Sequence, residues 1–340
     1  MLLFRCDYAE GAHPEILRRL AETNFEQMEG YGSDAYSESA RQKILNACGC
    51  PGGEVFLLSG GTQTNATVIS ALLEEYQGVV AVDTGHINVH ESGAVEYTGH
   101  KVFALPQHDG KMDATELEAF LTSFDEDPNK DHMVWPGLVY ISLPTEFGTI
   151  YSRSELTELQ SVAHRHGLRL FIDGARLGYA LACDAADFGL EDMKDLCDAF
   201  YIGGTKVGAL CGEAVVFPKG GPRHFFTIVK QHGALLAKGR LLGVQFDTLF
   251  TDNLYLIIAR NAIDRAGELV SVLKEKDIPF FLESPTNQQF VILENDYMNR
   301  LAEKVGFDIW QPHDATHTVV RFATSWASTS GQIEALSQLL

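Results

Sequence analysis

The chain has 340 residues, 45% of them hydrophobic and 21% charged, an ordinary globular composition with enough length to bury a large core. Its formal net charge is −20, from 26 Lys and Arg against 46 Asp and Glu. Such an imbalance is repelled by phosphate backbones and anionic lipid, so nucleic-acid and membrane partners are excluded and small-molecule chemistry is expected.

The start, Met1 to Asp7, lacks the long apolar core of a signal peptide, and no stretch nears the ~18 apolar residues that span a bilayer, so a cytoplasmic protein is expected. The six cysteines are scattered. Cys48-Gly49-Cys50 has neither the spacing nor the second ligand pair of a zinc site, so free thiols and no metal are the reading.

Residues 55–58 read as a strand, and Ser59-Gly60-Gly61-Thr62-Gln63-Thr64-Asn65 then opens a helix that runs through Leu73. Backbone amides at such a helix start, with a threonine hydroxyl, suit a phosphate, although a plain turn is an equal reading and the Walker lysine is missing. A second strand, 79–82, ends at Asp83 and leads to His86 and His90. A histidine at a strand end can stack on an aromatic cofactor or bond a backbone carbonyl. Residues 113–124 carry a helical pattern, and the acidic run 125–131 reads as a solvated loop.

Residues 137–143 and 168–172 read as strands on either side of a helix. Ser152 and Glu155 form a capping box, Leu156, Leu159 and Val162 follow at helical spacing, and Gly167 ends the helix. This is a βαβ unit, which implies a parallel sheet. His164 and His166 read as a favourable charge at that helix's C-terminus. Residues 234–276 are almost continuously helical, with soft breaks at Gly239 and Gly243. Strands 280–283, 289–293 and 318–322 and helices 297–305 and 331–340 follow, so a large domain, 1–250, precedes a small α/β domain, 251–340.

The chemistry is carried by two points of this map. Asp173 ends a strand in Phe171-Ile172-Asp173-Gly174-Ala175-Arg176, and Lys206 lies one strand later in Gly203-Gly204-Thr205-Lys206. A strand-end carboxylate and a lysine in a small-residue turn are what pyridoxal phosphate needs: the lysine condenses with the aldehyde, and the carboxylate keeps the pyridine nitrogen protonated. The glycines before Lys206 let the chain pass close to a flat ring. Asp173 also suits magnesium, but no second carboxylate is near it in sequence and Arg176 favours an anion. In an open parallel sheet such residues meet beyond the carboxyl ends of the strands, and the order phosphate turn, histidine, aspartate, lysine points to this cofactor.

These motifs resemble the L-threonine aldolases of low-specificity type, in the β-eliminating lyase superfamily. The likeness runs through Tyr31-Gly32-Ser33-Asp34-Ala35-Tyr36, Gly61-Thr62 with Asn65, His86-Ile87 with Glu91, Asp173 to Leu177, Gly204-Thr205-Lys206, Lys230-Gln231-His232-Gly233 and Arg321. It implies an aspartate-aminotransferase-like fold (fold type I), with a mostly parallel sheet in the large domain. It further implies pyridoxal phosphate on Lys206, with Asp173 at the ring nitrogen and His86 on the ring face. Gly61 and Thr62 would hold the phosphate, and Arg176 and Arg321 the substrate carboxylate, Arg176 touching the cofactor as well.

Three positions depart from the family pattern. Cys6 replaces a serine that touches the substrate carboxylate, Glu146 replaces a histidine near the substrate hydroxyl, and Lys230 replaces an arginine that reaches the phosphate from a neighbouring subunit. The resemblance makes Tyr36 another residue of a shared site and implies a homodimer or homotetramer. The expected reaction is cleavage of a β-hydroxy-α-amino acid to glycine and an aldehyde, with His86 as first choice of base and Glu146 as the other. A β-eliminating lyase acting on cysteine or serine derivatives and a non-catalytic cofactor-binding protein are the alternatives.

Overall fold

The computed structural model describes residues 1–340. Its strands are β1 (Leu2–Leu3), β2 (Glu54–Leu58), β3 (Gln77–Val82), β4 (Val102–Leu105), β5 (Trp135–Ser142), β6 (Arg169–Asp173), β7 (Ala199–Gly203), β8 (Glu213–Phe217), β9 (Phe280–Leu282), β10 (Gln288–Glu294), β11 (Val305–Gly306), β12 (Asp308–Pro312) and β13 (His317–Ala323). The main sheet has seven strands in the order β2-β8-β7-β6-β5-β3-β4. All its pairs from β4 to β7 are parallel, whereas β8 runs antiparallel to both β7 and β2. The expected mostly parallel sheet is present, with this one reversal.

Local chemistry sets the βαβ unit. The Ser152 side chain accepts from the Glu155 amide at 3.2 Å while the Ser152 amide donates to the Glu155 carboxylate at 2.6 Å, so the helix Arg153–Arg165 begins at a complete capping box. Gly167, at φ +75°, closes it and lets β6 turn back into the sheet. Leu156, Leu159 and Val162 are buried beneath it, each contributing roughly 1.5–3 kcal/mol.

Strand periodicity then decides what faces the site. Val139, Ile141, Leu170 and Ile172 join the core on one face of the sheet, while Leu138, Tyr140, Phe171 and Tyr201 join the core on the other. Asp173 shares its face with Phe171, and therefore with Tyr140 and Tyr201. The four-stranded sheet, β12-β13-β10-β9, packs Val291, Leu293, Val320 and Phe322 with Leu269 and Leu273 of the helix Leu254–Glu275. The N-terminal segment joins this C-terminal layer, since β1 pairs with β11 and Phe4 lies in the same core.

Several expected elements differ in extent. The helical run 234–276 is two helices, Arg240–Leu249 and Leu254–Glu275, and the break falls after Leu249, not at Gly243. Gly243 lies inside the first helix because Ser37 packs against it; a Cβ there would sit 2.6 Å from the Ser37 amide nitrogen. The helix expected to reach Val305 is Asn295–Ala302, and Val305 instead begins β11. No helix is long and apolar enough to cross a membrane.

Candidate active site

The carboxyl ends of the parallel strands and the start of β8 converge on a cavity of about 320 Å³. Gly61, Thr62, His86, Glu146, Asp173, Arg176 and Lys206 all line it, from segments spread across much of the chain.

Asp173 sits at the centre of a closed set of donors. Its Oδ1 accepts from the Tyr201 hydroxyl at 2.5 Å and the Ala175 amide at 3.0 Å. Its Oδ2 accepts from the Tyr140 hydroxyl at 2.7 Å and Asn65 Nδ2 at 2.8 Å. Burial alone would push this carboxyl up, but the His86 imidazole and the donated hydrogen bonds of Tyr201, Tyr140 and Asn65 hold it below the ordinary aspartate range. It is a buried carboxylate kept ionised, as a charge partner for a protonated ring nitrogen must be.

Asn65 Nδ2 also donates to Glu91 Oε1 at 2.8 Å, and His86 Nδ1 lies 2.7 Å from that same oxygen. His86, Glu91 and Asp173 therefore have ligand atoms within 4.8 Å of one another. Glu91 is the second carboxylate that the sequence did not place near Asp173. The bridging amide and the donors already on Asp173 suit this group to fixing an imidazole, with the His86 ring left partly open to the cavity.

Lys206 is half-buried, and its amine faces the cavity with no hydrogen-bond or ion-pair partner. Burial, followed by the charge of Arg176, lowers it to about 8. A lysine so placed supplies free amine near neutral pH, as condensation with an aldehyde requires. The glycines before it are required by the backbone around them: a Cβ on Gly203 would collide with the Ala175 carbonyl oxygen, and one on Gly204 would lie 2.8 Å from that of Gly212.

At the other end of the cavity Gly60 precedes the helix Gly61–Leu72 with no side chain capping it. The first-turn amides are free for an anion. On the wall between, Glu146 Oε1 accepts from Ser142 Oγ at 2.6 Å and from the His86 amide at 2.8 Å. Burial pushes the Glu146 carboxyl up.

The remaining expected residues are engaged by other groups or lie off this cavity. Arg176, although it lines the cavity, gives two hydrogen bonds to Asp7, at 2.6 and 3.1 Å. Arg321 is held by Asp308 Oδ2 and Gln288 Oε1, each at 2.8 Å, and its Nε is buried without a partner. Tyr36 donates to Glu26 at 3.2 Å, Lys230 lies 4.5 Å over the Tyr31 ring, and Cys6 is half-buried beside Asp7. His164 and His166 each face a carboxylate, Asp198 at 2.9 Å and Asp125 at 2.6 Å, so more than a helix end holds them. Sequence reasoning missed Tyr140, Tyr201, Glu213 and Asp7. The sheet's period-two pattern could have flagged the two tyrosines.

An ionised buried carboxylate, a free amine facing the cavity and an uncapped helix start, disposed around one cavity, would suit the ring nitrogen, the aldehyde and the phosphate of pyridoxal phosphate. Beta-eliminating lyase is the family whose sequence pattern matches residues 4–296. The chain belongs to that family. Within it, the chain is 30% identical over 285 residues to the low specificity L-threonine aldolase of a Pseudomonas species, covering 81% of this chain and 79% of that one. The Pseudomonas aeruginosa protein of the same name is 29% identical over 286 residues, with the same coverage. Among solved structures, the Leishmania major threonine aldolase superposes with a TM-score of 0.96 at 37% identity, covering 100% of this chain and 98% of that one. The fold type I architecture expected from the motifs is thus present.

Proposed function

We infer that this chain is a pyridoxal-phosphate-dependent carbon–carbon lyase that cleaves L-threonine, L-allo-threonine and related β-hydroxy-α-amino acids to glycine and an aldehyde. The observation that carries the reading is the pairing of Lys206, an amine open to the cavity with no hydrogen-bond or ion-pair partner, with Asp173, a buried ionised carboxylate, in one cavity. The likeness to the Pseudomonas and Leishmania aldolases supports the choice of bond.

Bound here, pyridoxal phosphate supplies an aldehyde carbon that takes the substrate amine and a protonated ring that accepts the electron pair of the breaking Cα–Cβ bond. The chain's own residues do the rest. Asp173 holds the proton at the ring nitrogen, and Tyr140, Tyr201 and Asn65 keep Asp173 ionised. Gly61, Thr62 and the neighbouring amides take the phosphate. Glu91 fixes His86 through Nδ1, which leaves Nε2 to remove the β-hydroxyl proton, directly or through one water. Glu146, tied to the His86 amide, stands beside that proton path as the partner of the hydroxyl. Lys206, in its ammonium form, would return a proton to Cα and be left as the free amine.

Arg321 takes the substrate carboxylate and so selects which bond at Cα stands perpendicular to the ring. Tyr36 and Lys230, which lie off this cavity, serve the site of a neighbouring copy in a cytoplasmic homodimer or homotetramer.

The test is to incubate the purified protein, saturated with pyridoxal phosphate, with L-threonine, L-allo-threonine and cysteine and serine derivatives. Glycine and acetaldehyde in equal amounts are expected from the first two. Pyruvate and ammonia from the others, with no aldehyde from threonine, would overturn the reading, as would cofactor binding with no turnover at all.

A further inference from the structure

Each charged group on the cavity wall has a part in the proposed chemistry or an ion-pair partner except one. Asp173 is filled by neutral donors, Arg176 by Asp7, and Glu146 by Ser142 and the His86 amide. Glu213 remains. It is the first residue of β8, 3% exposed, and lines the same cavity. Its neighbours across the sheet are Gly203 at the end of β7 and Leu58 at the end of β2, so it stands where the lysine turn and the phosphate turn both leave the sheet.

A buried acid at this place needs a reason, because a hydrophobic residue would fill the strand end without the cost of desolvating a carboxyl. Its two oxygens show one. Oε1 accepts from the Thr205 hydroxyl at 2.7 Å, and Oε2 accepts from the Gly204 amide at 3.1 Å. Glu213 therefore grips the two residues immediately before Lys206, while no cation lies within ion-pair distance of its oxygens.

We propose that Glu213 is a positioning residue for Lys206, its carboxyl group fixing the Gly204–Thr205 turn from which the lysine amine enters the cavity. The inference rests on the pyridoxal-phosphate reading for the chemistry of Lys206. The groups that act on the amine are Arg176, Asp7, Asp173 and Glu213, with the Tyr8 ring 5.9 Å away. Those that act on Glu213 are Lys206 and Asp173, and it in turn acts on Tyr201 and Tyr255. Burial drives the Glu213 carboxyl up to about 8 and the Lys206 amine down to about 8, so Glu213 ionises over the range in which the amine titrates, and its charge there favours the protonated amine.

The readout is attachment of pyridoxal phosphate to the cofactor-free full chain, in which the Lys206 nitrogen forms a C=N bond to the aldehyde carbon and the aldehyde oxygen leaves as water. The rate rises with pH as the amine loses its proton. In Glu213→Gln the favourable charge is gone, so the midpoint should move to lower pH by about 1 unit. In Glu213→Asp the charge is kept but retracted by one methylene, so the midpoint should stay within about 0.3 unit while the looser turn slows attachment about 3-fold or more. An unmoved midpoint in the glutamine variant overturns the proposal. If that variant does not fold, the aspartate variant decides: a midpoint displaced by a unit, or an unchanged rate, overturns it. Failure of the unaltered chain to attach the cofactor would instead sink the pyridoxal-phosphate reading.

Discussion

Asp7 and Arg176 are joined by a two-pronged ion pair, Nε to Oδ2 at 2.6 Å and Nη2 to Oδ1 at 3.1 Å, across 169 residues of chain. Asn287 adds a third donor to Asp7 at 2.9 Å, so the N-terminal segment, the cofactor sheet and β10's approach are tied at one carboxylate. The guanidinium lines the cavity while so held, and its charge lowers the Lys206 amine.

This pair predicts a pH-dependent loss of stability. Burial pushes the Asp7 carboxyl up, but Arg176 and Lys206 outweigh it and bring the group down from 3.8 to about 2. With a depressed folded value, the stabilisation is fully present above the unfolded value and disappears as pH falls through about 2, an effect of about 2 kcal/mol. Asp7→Asn should cost about 3–5 kcal/mol at pH 7, because it leaves a buried arginine uncompensated. In urea unfolding, the gap between variant and wild type should narrow between pH 4 and pH 2. A gap that stays constant would show that Asp7 is not the titrating partner.

Asp173→Asn should preserve the fold and lower kcat about 100-fold or more, since the ring nitrogen loses its charge partner. The effect should exceed that of Tyr201→Phe, which removes only one of four donors to the same carboxylate. Aldehyde release measured for both variants checks the order, and near-normal turnover in the asparagine variant would mean that another group protonates the ring.

The Glu91–His86 contact predicts a split between binding and rate. Glu91→Gln leaves an amide in place of the carboxylate that holds His86 Nδ1, so kcat should drop about 10- to 100-fold with cofactor affinity little changed. Equal loss of both would assign Glu91 to cofactor binding.

The legible parts of the molecule are those coded locally. Ser152 and Glu155 announce a helix start three residues apart, and Asp173 and Lys206 stand in short motifs at strand ends, so the βαβ unit and the cofactor pair can be read from the chain. The environment of Asp173 cannot, because its donors Asn65, Tyr140 and Tyr201 lie 108, 33 and 28 residues away and converge only through the strand order. Glu213 is hidden for a related reason: in Glu213-Ala214-Val215-Val216-Phe217 an acid at a strand start looks like a solvated end, and only the antiparallel insertion of β8 between β7 and β2 turns it inward. Gly243 misleads because its small size serves contact with Ser37, not helix breaking.

Tyr36 and Lys230, which the family resemblance assigns to a shared site, sit outside the cavity of their own chain, and the proposal that they serve a neighbouring copy predicts that the active unit is at least a dimer. Sedimentation at assay concentration should show no active monomer. Activity that is independent of dilution down to a monomeric species would rule out a shared site.

The last prediction concerns Arg321. Its Nη1 donates to Gln288 Oε1 and its Nη2 to Asp308 Oδ2, while Nε is buried with nothing to bond. A buried unpaired donor costs about 1–3 kcal/mol, and a substrate carboxylate is the acceptor that would relieve it. Lysine keeps a charge but offers no second, fixed prong, so Arg321→Lys should retain cofactor binding, raise KM and lower kcat. The expected loss in kcat/KM is about 2–4 kcal/mol, the range for weakening a buried charged contact. Because the same contact sets the angle at Cα, the variant should also leak into transamination, with pyridoxamine phosphate accumulating alongside the aldehyde. Measuring both products separates the roles: unchanged kcat/KM removes Arg321 from the site, and a pure affinity loss without pyridoxamine phosphate leaves it a binding residue with no part in choosing the bond.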